Sequence, residues 1–331
     1  MLSRDIGIDL GTANVLIYIK GKGVVLNEPS IVVVDTDSKK VIAVGHEAYE
    51  MLGRTPGKIK AIKPMKDGVI ADFELTEIML NMFLQKIKAK KLFSKPRILI
   101  CCPTNITPVE KNAIIEAAER TGARKVYIAE EPRVAAIGAG MDISKPSASM
   151  ILDIGGGTTD IAVLSLNGIA SSSSIKTAGN DMDQEIIKYI REKYKLLIGE
   201  KTAEEIKINF ADIYKPDKKK KYEVRGRNLL TGLPSTIEIS QDEIKEALEE
   251  NIKKIIKSTK QVLEQTSPEL SADIVDKGVI ITGGGSMLKG LPEVLEEELT
   301  IPVLTTQTPL TCVAEGTGIL LNNIKLLEED Q

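Results

Sequence analysis

The 331-residue chain has no tryptophan and only 3% aromatic residues. That weighs against stacking platforms for bases or sugars and leaves the core to Ile, Leu, Val and Ala. A single histidine, His46, removes the basis for histidine metal sites and catalytic triads. The cysteines Cys101, Cys102 and Cys312 have no metal-ligand or redox spacing and are too few for a disulfide scaffold. They read as small buried residues in a reducing cytoplasm. No apolar run approaches the ~20 residues needed to span a bilayer. Met1 to Asp5 lead straight into an apolar strand, so no signal peptide is expected. A formal net charge of −3 gives no reason to expect nucleic acid as the main partner. Neither G-x-x-x-x-G-K-[ST] nor G-x-G-x-x-G occurs, so P-loop and Rossmann nucleotide binding are unsupported.

What the chain does contain is one pattern written twice. Ile6-Gly7-Ile8-Asp9-Leu10-Gly11-Thr12-Ala13-Asn14 and Ile151-Leu152-Asp153-Ile154-Gly155-Gly156-Gly157-Thr158-Thr159-Asp160 are apolar runs that carry Asp, turn on glycine and hydroxyl residues, and resume as apolar runs. Each predicts a β-hairpin whose backbone N–H groups converge on an anion, with the Asp able to hold a cation beside it. One such turn needs no more explanation than a tight bend. Two in one chain predict a duplicated domain gripping a phosphate compound from both sides.

Around each hairpin, strands alternate with helices, which reads as α/β with mixed sheets. Strands are expected at 6–10, 14–20, 23–26, 30–35, 97–102 and 126–129, and helices at 75–91 and 109–122, with Gly122 as the stop. Glu131-Pro132 opens a further helix, with proline in its first turn. The second half predicts a hairpin over 150–166, a strand near 169–175 and a helix from about 181 to 194. The apolar face Ile244, Leu248, Ile252, Ile255, Ile256 and Val262 predicts a helix over 241–265. Pro216 to Lys221 reads as a solvated loop, and Gly278 to Thr282 as a strand running through Gly283-Gly284-Gly285 into a helix.

Asp9-x-Gly11-Thr12, Asp153-x-Gly155-Gly156-Gly157-Thr158 and Thr282-Gly283-Gly284-Gly285-Ser286 together resemble the signature of the actin, sugar-kinase and heat-shock-chaperone ATPase superfamily. More narrowly, Asp67 to Asp72, Glu130-Glu131-Pro132 and Thr202 through Lys207 resemble the MreB family of bacterial actins, from Asp5 to about Leu326. The resemblance implies an actin-like ATPase fold: two duplicated α/β domains, each with a smaller inserted subdomain, and a nucleotide in the cleft between them. Domain I is expected at 1–145 plus 319–331, with its insert at about 33–74; domain II is expected at 146–318, with its insert at about 182–245.

The resemblance also implies a site. Thr12, Ala13 and Asn14 would meet the β- and γ-phosphates of ATP from one side, and Gly155, Gly156, Gly157 and Thr158 from the other. Asp9 and Asp153 would hold Mg²⁺, largely through water. Glu204 and Lys207 would touch ribose and adenine, and Gly284, Gly285, Ser286 and Met287 would flank the base. Glu131, helped by Thr158, would orient the water that attacks the γ-phosphate; the plainer alternative is that Glu131 only complements a helix N-terminus. Arg133-Val134 after the proline departs from the small or apolar residues usual in the family. Leu92-Phe93, between Lys-rich flanks, would enter an anionic membrane, or else cap the core beneath a loop. The implied function is slow, polymerisation-coupled ATP hydrolysis by a filament of this chain, with paired protofilaments, at the inner face of the cell membrane. It would determine cell shape together with other cell-shape or wall-synthesis proteins. A small-molecule kinase or a chaperone-type ATPase of the same superfamily remains the alternative, although no motif supplies the Asp base a kinase needs.

Overall fold

The computed structural model describes residues 5–87 and 95–323. The first half runs β1 (Ile6–Leu10), β2 (Asn14–Ile19), β3 (Gly23–Pro29), β4 (Val32–Asp35), β5 (Val41–Val44), α1 (His46–Met51), β6 (Ile59–Ile62), β7 (Met65–Lys66), β8 (Val69–Ile70), α2 (Phe73–Lys86), β9 (Arg97–Cys102), α3 (Pro108–Arg120), β10 (Lys125–Glu130) and α4 (Glu131–Gly138). The second half runs β11 (Ser149–Ile154), β12 (Thr159–Ser165), β13 (Gly168–Ile175), α5 (Gly179–Tyr194), β14 (Leu196–Leu197), α6 (Glu200–Asn209), β15 (Lys221–Asn228), β16 (Pro234–Ser240), α7 (Gln241–Gln265), α8 (Pro268–Lys277), β17 (Val279–Thr282), α9 (Leu291–Leu299), β18 (Val303–Thr305) and α10 (Cys312–Asn322).

The duplication read from the two hairpins extends to whole sheets. One five-stranded sheet has the order β10-β9-β1-β2-β3 and the other the order β18-β17-β11-β12-β13. In both, the strand bearing the Asp lies at the centre. It pairs antiparallel with its hairpin partner and parallel with the strand on its other side. Central strands buried on both faces must be apolar throughout, which is why Ile6, Ile8, Met150, Ile151 and Leu152 show no alternation. Two three-stranded sheets, β5-β4-β6 and β14-β15-β16, fall within residues 32–62 and 196–240.

Local signals set the helix limits. Thr107 and Glu110 form a reciprocal cap at the start of α3, with Pro108 in its first turn. Past its end, Gly122 takes φ +94°, a conformation that residues with a Cβ adopt only under strain. Ser240 and Glu243 cap α7 in the same way, and its limits are those expected from its apolar stripe. The helix expected to end near residue 91 is seen as α2 to Lys86, and residues 88–94, with Leu92 and Phe93, lie outside the described residues.

Two expectations need correction, and one helix was not anticipated. Lys221 does not close a solvated loop; it opens β15, which pairs with β16 from Lys221↔Ser240 to Arg227↔Pro234. In β15 only Val224 is buried, so backbone pairing holds the hairpin and little apolar pattern announces it. The glycines after β17 do not enter a long helix. They form a 3-10 turn, Gly284–Met287, and α9 begins only at Leu291. Helix α8, with Ile274 its one buried residue, carried no apolar stripe to reveal it.

Separate cores lie beside the two large sheets, and a third holds α4 and α10 with Leu99, Tyr127, Ile151 and Leu164. The two helices approach so closely that a Cβ on Gly138 would stand 1.9 Å from the carbonyl oxygen of Cys312, and one on Gly316 2.1 Å from that of Val134. The small residues of both segments therefore serve backbone-to-backbone contact. The division expected between residues 318 and 319 falls inside α10, which packs against α4, β1 and β2.

Candidate functional site

Both glycine turns open into one cavity of about 470 Å³. In the first hairpin, Leu10↔Val15 is the last pair before the turn. The turn is tied from below by Ser30, whose hydroxyl donates to the Gly11 carbonyl (2.7 Å) and whose N–H donates to that of Ala13 (2.8 Å). The Thr12 hydroxyl accepts from the Gly68 N–H (2.8 Å), leaving its own proton to donate elsewhere. In the second hairpin, Gly155 N–H closes the turn onto the Thr158 carbonyl (2.9 Å). The first N–H groups of α5, from Gly179 and Asn180, bind the carbonyls of Gly155 (3.1 Å) and Gly156 (2.8 Å). The turns face each other directly: a Cβ on Gly156 would lie 2.5 Å from that of Ala13, and one on Gly157 2.5 Å from Thr12 Oγ1.

Carboxyl groups gather beneath the turns. Asp9, Asp153 and Glu131 line the cavity, and Asp160 is buried beside them. Burial pushes Asp9 up to about 7, although its edge faces the cavity. It also pushes Asp160 up to about 6. Burial, then the charges of Asp160 and Asp9, holds Asp153 well above the carboxylate range. Glu131 is raised in the same way by burial and then by Asp160, Asp153 and Asp9. Asp153 Oδ2 has no hydrogen-bond partner. An orphaned buried carboxylate oxygen among like charges fits a cation. No cluster of three metal-ligating side chains occurs among the described residues. The donor set thus suits an ion held by two carboxylates, water and phosphate, as Mg²⁺ commonly is, rather than a protein cage.

The far end of the cavity is walled by α6 and the glycine turn. Glu204 and Lys207 both line it. Lys207 Nζ is fixed by Asp183 Oδ1 (2.8 Å) and the Gly179 carbonyl (2.7 Å). Gly283, at φ +80°, backs onto the second hairpin: a Cβ there would lie 2.3 Å from Asp153 Oδ1 and 2.4 Å from the Ile154 carbonyl. Gly284, Gly285 and Met287 line the cavity, but Ser286 does not. The 3-10 turn rotates Ser286 inward, where it is buried and its hydroxyl donates to the Gly283 carbonyl (2.7 Å).

The cavity thus collects Asp9, Thr12, Ala13, Asn14, Glu131, Asp153, Gly155, Gly156, Gly157, Thr158, Glu204, Lys207, Gly284, Gly285 and Met287. The adjacent Glu130 is exposed and outside it. Sequence reasoning missed Asn180, Met182, Pro309 and Leu310, which also line the cavity. The small polar run Thr177 to Asp181 ahead of an apolar-periodic stretch is a helix-start signal that could have placed Asn180. Nothing local marks Pro309.

The chain is 60% identical over 327 residues to the cell shape-determining protein Mbl of Bacillus subtilis (strain 168), covering 99% of this chain and 98% of Mbl. It is 50% identical over 331 residues to the cell shape-determining protein MreB of Escherichia coli (strain K12), covering 98% and 95%. The crystal structure of MreB5 of Spiroplasma citri bound to AMPPNP superposes with a TM-score of 0.94 at 38% identity, covering 100% of this chain and 99% of that one. Its ADP-bound form gives 0.93 at 39%, covering 99% of each. The actin-like fold is therefore shared over the whole length. Since the sequence pattern of the MreB/Mbl protein also matches residues 3–329, the chain belongs to the MreB/Mbl family.

Proposed function

We propose that the chain binds ATP with Mg²⁺ in this cavity, hydrolyses it slowly, and polymerises into membrane-associated filaments that determine cell shape. The observation that carries the reading is the meeting of two duplicated glycine hairpins, each from a strand bearing a buried Asp, across one cavity. The AMPPNP and ADP bound by MreB5 of Spiroplasma citri support the nucleotide. The cell shape-determining relatives support the role.

In this reading Thr12, Ala13 and Asn14 donate to the β- and γ-phosphates from one side, and Gly155, Gly156, Gly157 and Thr158 from the other. Asp9 and Asp153 would hold Mg²⁺, largely through water, and the ion would supply positive charge beside the phosphates. Glu131 accepts a hydrogen bond from the attacking water and, with Thr158, aims it at the γ-phosphate. Glu204 and Lys207 bind ribose and adenine, with Gly284, Gly285 and Met287 beside the base. ATP bridging the hairpins favours one closed arrangement of the two halves, and that arrangement favours filament contacts; hydrolysis removes the bridge.

Asp153→Asn separates binding from folding. Asp153 Oδ2 is a buried, unpartnered oxygen among like charges, which costs the native protein about 1–3 kcal/mol, and the substitution relieves part of that cost. The ligand-free variant is expected to melt roughly 2–8 °C higher than the native chain. In the presence of ATP, adding Mg²⁺ should raise the melting temperature of the native chain and not of the variant. Scanning fluorimetry reads both effects, and an equal Mg²⁺ response in the two proteins contradicts the assignment.

Leu92 and Phe93, flanked by lysines, are proposed to anchor the filament. Burying both in lipid contributes roughly 1.5–3 kcal/mol each, so one subunit binds weakly and a polymer binds by avidity. Electron microscopy on an anionic lipid layer should show filaments with ATP, and Leu92→Ser with Phe93→Ser should abolish lipid binding while sparing filaments in solution. Absence of filaments under every condition contradicts the polymer reading, and retained lipid binding contradicts the anchor.

A further inference from the structure

We propose that Tyr49 is a positioning residue for the nucleotide, holding Glu204 across the mouth of the cleft so that sugar recognition and mouth closure depend on each other. This rests on the ATP reading of the cavity and extends it to a residue no motif marks. Tyr49 lies on α1, beside the small sheet β5-β4-β6, and Glu204 lies on α6, 155 positions away and on the other half of the protein. The Tyr49 hydroxyl donates to Glu204 Oε2 at 2.5 Å. Burial, then the carboxylate of Glu204, raises the phenol above its ordinary range, so it remains a donor throughout neutral pH.

The link is not isolated. Lys63 pairs with Glu200 (2.7 Å) and Lys201 with Glu50 (3.3 Å), and the Lys201 ammonium lies 5.0 Å from the centre of the Tyr49 ring. All of these contacts join α6 to the first half. Exposed ion pairs contribute little individually. A short hydrogen bond from a half-buried phenol to a carboxylate is the stronger kind, so Tyr49–Glu204 is the principal clasp.

Its geometry bears on the ligand because Glu204 also lines the cavity. Tyr49 occupies Oε2 and leaves Oε1 for a sugar hydroxyl. On the same face of α6, Lys207 is fixed from within its own half by Asp183 and the Gly179 carbonyl. The two charged cavity-lining side chains of α6 are thus set by different halves of the protein. Removing the phenolic hydroxyl frees the Glu204 rotamer, which costs binding only where the ligand offers Glu204 a hydroxyl.

The test compares ATP with 2′,3′-dideoxy-ATP by calorimetry on the full chain, native and Tyr49→Phe. The native chain should prefer ATP. Tyr49→Phe should weaken ATP about tenfold and change dideoxy-ATP by less than about twofold. In a Glu204→Ala background, adding Tyr49→Phe should have no further effect on ATP. Equal weakening of both nucleotides, or no weakening of ATP, overturns the proposal and leaves Tyr49 a structural clasp or a bystander. A native chain that binds ATP and dideoxy-ATP equally overturns the sugar contact of Glu204 itself, and one that binds neither overturns the nucleotide reading.

Discussion

Glu131→Gln is expected to lower ATP-dependent phosphate release about 10²–10⁴-fold while leaving ATP affinity within a few-fold of the native value. Strand β10 runs parallel to β9, pairing Glu130 with Cys102, and delivers the chain to the sheet's end. There α4 starts at Glu131, with Pro132 fixing its first turn. Glu130 therefore points to solvent and Glu131 to the cavity. Glutamine keeps the size of the side chain and removes the carboxylate that orients water. Were Glu131 only a complement to the helix dipole, the change would shift stability by a few tenths of a kcal/mol to about 1 kcal/mol and leave turnover alone. Steady-state phosphate release beside equilibrium ATP binding separates the two. Unchanged turnover removes Glu131 from hydrolysis.

The second large effect is geometric. Gly156→Val places a Cβ 2.5 Å from that of Ala13, 3.1 Å from the Ala13 nitrogen and 3.3 Å from its Cα. None of those atoms is the end of a flexible chain, so the hairpins must part to admit the side chain. A ligand gripped from both sides then loses one grip. ATP affinity should fall at least about 100-fold, roughly 2.7 kcal/mol, while circular dichroism stays native because both hairpins remain paired within their own sheets. Native affinity in a folded variant would mean that the two turns do not act on one ligand.

The hairpins were legible because everything that makes them is local. Asp9 and Asp153, the turn glycines and the apolar runs on either side are contiguous, and the registers Leu10↔Val15 and Ile154↔Thr159 follow from them. Helix α7 was legible because its buried apolar positions, Ile244, Leu248, Ile252, Ile255, Ile256 and Val262, recur at helical spacing. The hairpin of β15 and β16 was not, since its outward residues are polar on both strands and its stability lies in backbone pairing and contact with α7. Ser286 was misjudged because a 3-10 turn advances each residue further around its axis than an α-helix does, turning the hydroxyl away from the cavity. Pro309 and Tyr49 reach the site through tertiary contacts, and a partner 155 positions away leaves no trace in local sequence.

The central claim is that one ATP, held by both hairpins, drives assembly of the chain. Sedimentation of the native protein at a single concentration tests it most directly, with Mg²⁺ present and with ATP, AMPPNP, ADP or no nucleotide. The expected result is polymer in the pellet with ATP and AMPPNP, less with ADP, and least without nucleotide. Equal pelleting in all four conditions, or pelleting favoured by the empty cleft, would contradict it.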